Sequence, residues 1–254
     1  KLSSDGFLIA FHLVSEAPDG FFHTFFGRHW ENYQKSLVDN EQFWAEQATA
    51  RLKWSKPFTK IRHVNFMKPD VHINWFSDGE LNVSVNCIDR HLTKRAEQVA
   101  IIWEGDNPDE DRNITYRELY DSVCRLANGL KAMGVAKGDR VTLYMPMIPE
   151  AAFAMLAVAR IGAVHSIVFG GFSPEALAQR IADCDSDYLI TADQGLRGQK
   201  PIPLKANADR AIELSGRDVR QLVVKRTGEP VDWNADRDVW YHELVNDQNA
   251  ACAP

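Results

Sequence analysis

Basic charge is not in excess in this chain: 29 Lys and Arg stand against 35 Asp and Glu, a formal net charge of −6. That balance offers no field to grip a phosphate backbone and excludes nucleic acid as a general partner. Cysteine is scarce, and no CxxC or Cys/His spacing accompanies Cys87, Cys124, Cys184 and Cys252. Four free thiols in a reducing, cytoplasmic compartment are expected, with neither a disulfide framework nor a structural zinc site. Long apolar runs are missing too. The one near the front, Phe7 to Val14 broken by His12, is far short of the ~20 residues that cross a bilayer. With Lys1 as its sole cation and Pro18 directly after Ser15-Glu16-Ala17, it is also a poor signal peptide, so no membrane partner is expected. There is no internal repeat, low-complexity tract, GxGxxG, GxxxxGK[ST] or HExxH. No Ser/His/Asp, Cys/His or paired-carboxylate set can be assembled from spacing, so no catalytic and no metal-ligating residue is assigned.

What is present is a globular composition, 45% hydrophobic and 25% charged over 254 residues, enough for one or two domains. Residues 1–29 have no sustained period and stand as an unassigned leader. Tyr33 to Trp54 has loosely helical apolar spacing and predicts one or two short helices. Val71–Phe76 and Leu81–Val85 alternate apolar and polar residues around Ser77-Asp78-Gly79-Glu80, which predicts a β-hairpin in a small α+β region. A helix is expected over Cys87–Arg95.

From Gln98 the pattern strengthens. Val99–Trp103 reads as a strand. Thr115, with Glu118 three positions later, opens a helix whose apolar residues Leu119, Val123, Leu126 and Leu130 share one face, and Gly134 closes it. Strands then fall at Arg140–Met145, Ala163–Phe169, Tyr188–Thr191 and Gln221–Val224. Helices separate them at Glu150–Arg160, Pro174–Asp183 (capped by Ser173) and Leu204–Leu214. Alternation of this kind predicts an α/β class with a parallel doubly wound sheet, whose ligands gather beyond the carboxyl ends of the strands.

Two strand-end loops are therefore candidates. Phe169-Gly170-Gly171-Phe172-Ser173-Pro174-Glu175 contains the only Gly-Gly pair. It either makes a tight βα turn or lets a ligand approach bare backbone beside a helix start. Asp193-Gln194-Gly195-Leu196-Arg197-Gly198-Gln199-Lys200 carries two cations three apart, either a solvated basic loop or a phosphate site. His165 reads as a core histidine rather than a general base, and Trp233 and Trp240, among Asp232, Asp236 and Asp238, as packing rather than an acidic aromatic surface.

Taken together, Trp103-Glu104-Gly105-Asp106, Tyr144-Met145-Pro146-Met147-Ile148-Pro149-Glu150, Ala159 through Ala176, Asn86-Cys87-Ile88-Asp89-Arg90-His91-Leu92 and Lys225-Arg226-Thr227-Gly228 resemble the acetate–CoA ligases among the adenylate-forming enzymes. The resemblance runs from about Tyr33 to about Val245. It implies an accessory region at 30–88 and the first part of an AMP-binding, adenylate-forming domain at 89–254. It further implies acetate, ATP and CoA as small-molecule substrates, with Mg²⁺, and conversion of acetate to acetyl-CoA through acetyl-adenylate. On the same basis Phe169, Gly170 and Gly171 would line the CoA path, and the Arg197, Gly198, Gln199 and Lys200 loop would hold the CoA 3′-phosphate. The second cation of that loop is usually Arg in the family; Lys200 keeps the charge without the fork. The family's Ser/Thr/Gly-rich ATP loop, acetate pocket and catalytic lysine have no counterpart here, so a fragment inactive in isolation is expected. The alternatives are a propionate–CoA ligase fragment, or a non-catalytic CoA-binding or interaction module.

Overall fold

The computed structural model describes residues 21–107 and 109–254, with backbone alone for residues 21–28. The expected leader falls outside the described residues as far as residue 20, but its end is not structureless, because the first helix starts at Phe21. Residues up to Glu80 form one compact unit and Leu81–Pro254 a second.

In the first unit, helix α1 (Phe21–Val38) is followed by α2 (Asn40–Arg51), whose N-terminus is capped by the Asp39 carboxylate accepting from Gln42 N at 3.0 Å. Strands β1 (Arg62–Asn65) and β2 (His72–Trp75) pair antiparallel with Arg62 opposite Trp75. This corrects the predicted hairpin: the partner of β2 lies upstream, and Leu81–Val85 is not a strand. The cause is Asp78, whose carboxylate accepts from the Thr59 hydroxyl and from the backbone N–H groups of Thr59 and Lys60, tying the supposed turn back to residues 59–60. Glu80 in turn bridges Lys56. The rings of Trp54, Phe58 and Phe76 cluster at 4.5–5.8 Å around that tie.

Near the start of the second unit, Asn82 accepts from Val85 N at 3.2 Å and donates to the Ala159 and Arg160 carbonyls at 3.2 and 2.9 Å. It starts a wide helical turn, Val85–Asp89, that continues into α3 (Arg90–Arg95). Strand β3 (Val99–Glu104) pairs antiparallel with β4 (Asp111–Thr115), an element missing from the sequence reading. The pair is antiparallel because the connection after Glu104 is too short for the crossover that parallel neighbours need, and it forms a sheet of its own. Thr115 then caps α4 (Tyr116–Ala132) with the anticipated capping box: Glu118 N donates to Thr115 Oγ1 at 3.2 Å, and Thr115 N to the Glu118 carboxylate at 2.8 Å.

The rest is a doubly wound sheet. The series runs β5 (Arg140–Met145), α5 (Pro149–Arg160), β6 (Val164–Phe169), α6 (Pro174–Asp183), β7 (Tyr188–Ala192), the small hairpin β8 (Gly195–Arg197) and β9 (Lys200–Ile202), α7 (Leu204–Ser215), β10 (Arg220–Val224), β11 (Asp238–Trp240) and α8 (Tyr241–Asn246). Spatial order is β11-β10-β7-β5-β6, all parallel. One face buries Val123, Leu126 and Leu130 of α4 with Phe153, Ala157 and Val158 of α5; the other buries Leu177 and Ile181 of α6 with Ala208, Ala211 and Ile212 of α7. At about 1.5–3 kcal/mol for each fully buried large aliphatic side chain, these two layers hold the sheet.

From β5 the chain moves outward to β6, then crosses back over β5 to β7. The connections therefore diverge between β5 and β7, which opens a crevice beyond their carboxyl ends. Strand β6 is an outer strand, and Val164, Ile167 and Phe169 are more than half exposed on it. His165 is accordingly half-buried on this strand and not the core histidine expected.

Candidate functional site

A cavity of about 400 Å³ occupies the carboxyl ends of the strands. It takes Met145–Ile148 from the end of β5, Phe169–Gly171 from β6, Gly195–Arg197 after β7 and Arg226 after β10; Trp103–Asp106 of the β3–β4 hairpin also line it. Both candidate loops thus reach one cavity at the topological switch.

Glycine is needed here for space. A Cβ on Gly170 would lie 3.1 Å from the Met145 carbonyl oxygen, and one on Gly171 would lie 2.6 Å from the Phe169 ring. The turn is fixed from beneath: the buried Tyr144 hydroxyl donates to the Phe172 carbonyl at 2.8 Å and accepts from Asn207 Nδ2 at 3.3 Å. Burial pushes the Tyr144 phenol up from its ordinary pKa, so it stays a neutral donor.

The second loop is a hairpin. Arg197 and Lys200 face each other across the β8–β9 pair, with Gly198 and Gln199 at φ 56° and 62° between them, the left-handed pair that tight two-residue hairpin turns require. The turn thus brings both cations to one end of the ribbon. Arg197 lines the cavity, whereas Gly198 and Gln199 in the adjoining turn and Lys200 at the start of β9 do not. Gln199 N donates to the Asp106 carboxylate, which ties the turn to the β3–β4 hairpin.

Trp103, Glu104, Asp106 and Arg226 carried the family resemblance in the sequence but were given no site role there. Arg226 lies two residues beyond the strand Gln221–Val224, so the strand-end rule pointed to it, whereas Trp103 was marked by the resemblance alone. Asp193, 1% exposed, places Arg226: its carboxylate accepts from the backbone N–H groups of Arg226, Thr227 and Gly228 at 2.8, 3.1 and 2.7 Å. The Trp103 indole donates to the Met147 carbonyl at 2.8 Å, and the Arg226 guanidinium lies 5.5 Å from the centre of that ring while paired with Glu110. Elsewhere Trp233 stacks on Trp240 at 4.3 Å and Asp238 is buried, whereas Trp233, Asp232 and Asp236 are exposed. Among the described residues no group of three or more His, Cys, Asp or Glu side chains could hold a metal ion.

The cavity thus combines apolar side chains from Met145, Ile148 and Phe169 with the cations Arg197 and Arg226. The family model for AMP-binding enzymes matches residues 88–252. The chain belongs to that family. The model for the acetyl-coenzyme A synthetase N-terminus matches residues 29–87. Similar proteins include the acetyl-coenzyme A synthetases of Rhizobium rhizogenes and Brucella anthropi, each 58% identical over 228 residues. The match takes in 88% of this chain and 35% of each relative, so the chain spans about a third of the length of these AMP-binding enzymes. Acetoacetyl-CoA synthetase from Streptomyces lividans superposes with a TM-score of 0.74 at 22% identity, covering 85% of this chain and 32% of that one, and shares the fold. Among the described residues of this family member no helix is long and apolar enough to cross a membrane.

Proposed function

We propose that this chain forms the coenzyme A approach of an acetate–CoA ligase, with residues 30–88 as an accessory region and 89–254 as the first part of the adenylate-forming domain. The observation that carries the reading is the meeting of Phe169–Gly171 with the Arg197/Lys200 hairpin at one strand-end cavity. Arg197 and Lys200 hold the 3′-phosphate of CoA, Arg197 by two parallel N–H donors and Lys200 as a point charge. The bare backbone at Gly170 and Gly171 admits the pantetheine arm beside the apolar side chains of Phe169 and Met147. The thiol is thereby aimed at an acyl carbon activated elsewhere. In the whole reaction an acetate oxygen bonds the ATP α-phosphorus as pyrophosphate leaves, then the thiol sulfur bonds the acyl carbon as AMP leaves. No residue of this cavity is assigned to the first step.

The test is a titration of the 254-residue chain with CoA and dephospho-CoA. CoA should bind about tenfold more tightly, the worth of one good charge-assisted contact, and equal affinities would remove Arg197 and Lys200 as 3′-phosphate ligands. The chain supplied with acetate, ATP, Mg²⁺ and CoA should form no acetyl-CoA; turnover would overturn the assignment of ATP chemistry to residues outside it.

A further inference from the structure

Arg226 is built into the cavity more firmly than either cation of the hairpin turn. Its backbone is clamped by the buried Asp193 carboxylate, and its guanidinium is held over the Trp103 ring, which the Met147 carbonyl fixes in turn. Its side chain is 18% exposed, so its charge is screened less than the exposed Arg197 and Lys200 at the mouth. Among the described residues its one ion-pair partner is Glu110, a carboxylate 38% exposed and reached from the β3–β4 hairpin. A guanidinium has five N–H donors, and one carboxylate and one ring face do not use them all. Glu104 and Asp106 also line the cavity, but Asp106 is turned to Gln199 N.

CoA has two anionic groups at separate places on its nucleotide, a 3′-phosphate and a 5′-diphosphate. The cavity correspondingly has cations in two places. Resting on the reading above, we infer that Arg226 is the diphosphate-binding residue of this site, and that Glu110 is its exchangeable counter-ion, occupying the guanidinium until the diphosphate takes its place. Trp103 is the positioning residue, since its ring face fixes the plane of the fork. A purely structural ion pair predicts the opposite response to removal of Glu110, which makes the two roles separable.

The experiment measures binding of CoA, dephospho-CoA and pantetheine to the 254-residue chain by calorimetry. Arg226→Gln should weaken CoA and dephospho-CoA alike by about tenfold and leave pantetheine, which has no phosphate, unchanged. Arg226→Lys should restore part of the loss. Glu110→Gln should tighten both nucleotides by about threefold by removing the competitor. Arg197→Gln should weaken CoA alone. If Arg226→Gln does not fold, the Lys and Glu110 variants decide. Unchanged nucleotide affinity in the Arg226 variants, parallel loss of pantetheine, or weaker binding in Glu110→Gln would overturn this inference and leave the hairpin reading standing. Failure of Arg197→Gln to separate CoA from dephospho-CoA would overturn the hairpin reading instead, and absence of any CoA binding would overturn both.

Discussion

Lys205 carries three N–H donors, and the fold uses them fully: its ammonium meets Asp209 at 2.7 and 2.8 Å, Asp238 at 2.8 Å and the Asp232 carbonyl at 3.1 Å. Arg237 closes the ring by pairing with both carboxylates, so two cations meet two anions with Lys205 at 1% exposure and Asp238 at 0%. Arg226, at the cavity, pairs with one carboxylate and keeps an edge toward open space. The contrast separates two uses of buried charge. A saturated cluster fixes β11 and α7 and has no capacity for a ligand; an undersaturated one is held in place by other means and keeps donors for a guest.

The comparison can be broken most forcefully at Asp238. Asp238→Ala leaves Lys205 and Arg237 short of a counter-charge in the interior and should cost about 3–5 kcal/mol, read from urea unfolding. CoA affinity per folded molecule should not change, and a change would mean that the two clusters are coupled. Next is Asp193→Ala, which removes the acceptor of several backbone N–H groups and should cost about 2–3 kcal/mol. Because it also releases Arg226, it should weaken dephospho-CoA as well; a stability loss without an affinity loss would detach the clamp from binding.

Acid titration sharpens the contrast further. Burial pushes the Asp238 carboxyl up, but the hydrogen bonds from Arg237 and Lys205 outweigh it and hold the group below its ordinary 3.8. Its stabilisation is present above 3.8 and is lost as pH falls through the depressed folded value. At Asp209 burial outweighs the Lys205 bonds and the group is raised, so it opposes folding at neutral pH and that cost is relieved as pH falls through the raised value. Stability followed from pH 7 downward in Asp209→Asn should therefore lack the relief seen in the parent chain above 3.8. The smallest effect belongs to Arg210 and Glu213, paired at 2.9 Å on the surface of α7 with side chains 58% and 65% exposed. Arg210→Ala should shift stability by no more than about 0.5 kcal/mol, and a larger loss would show that exposure is a poor guide to what these pairs contribute.

Much of the second unit was legible because its signals are local. Thr115 with Glu118, Ser173 with Pro174, and the apolar strands at 140–145 and 188–191 each announce themselves within a few residues. The first unit's hairpin was misplaced because Asp78 is satisfied by Thr59 and Lys60, nearly twenty residues upstream, and no periodicity reports such a contact. Strand β11 was missed for a related reason. At three residues it has almost no pattern of its own, and it is placed by Asp238 reaching Lys205 and Arg237. In the candidate site, glycines and exposed cations were visible, whereas Arg226 gained its meaning from Trp103, more than a hundred positions away, and from Asp193.

Among the described residues strand β6 has a neighbour on one side only, β5, in register from Arg140 opposite Val164 to Met145 opposite Phe169. In a parallel ladder the N–H and C=O of one residue point to the same side, and those of the next residue to the other. Amide hydrogen exchange along Val164–Phe169 should therefore be slow and fast at alternate residues, while β5, bonded on both sides, should be slow throughout. The strand that carries the chain into Gly170 and Gly171 is thus half tethered, and its alternating exchange should lose its rhythm wherever another strand comes to lie along the open side.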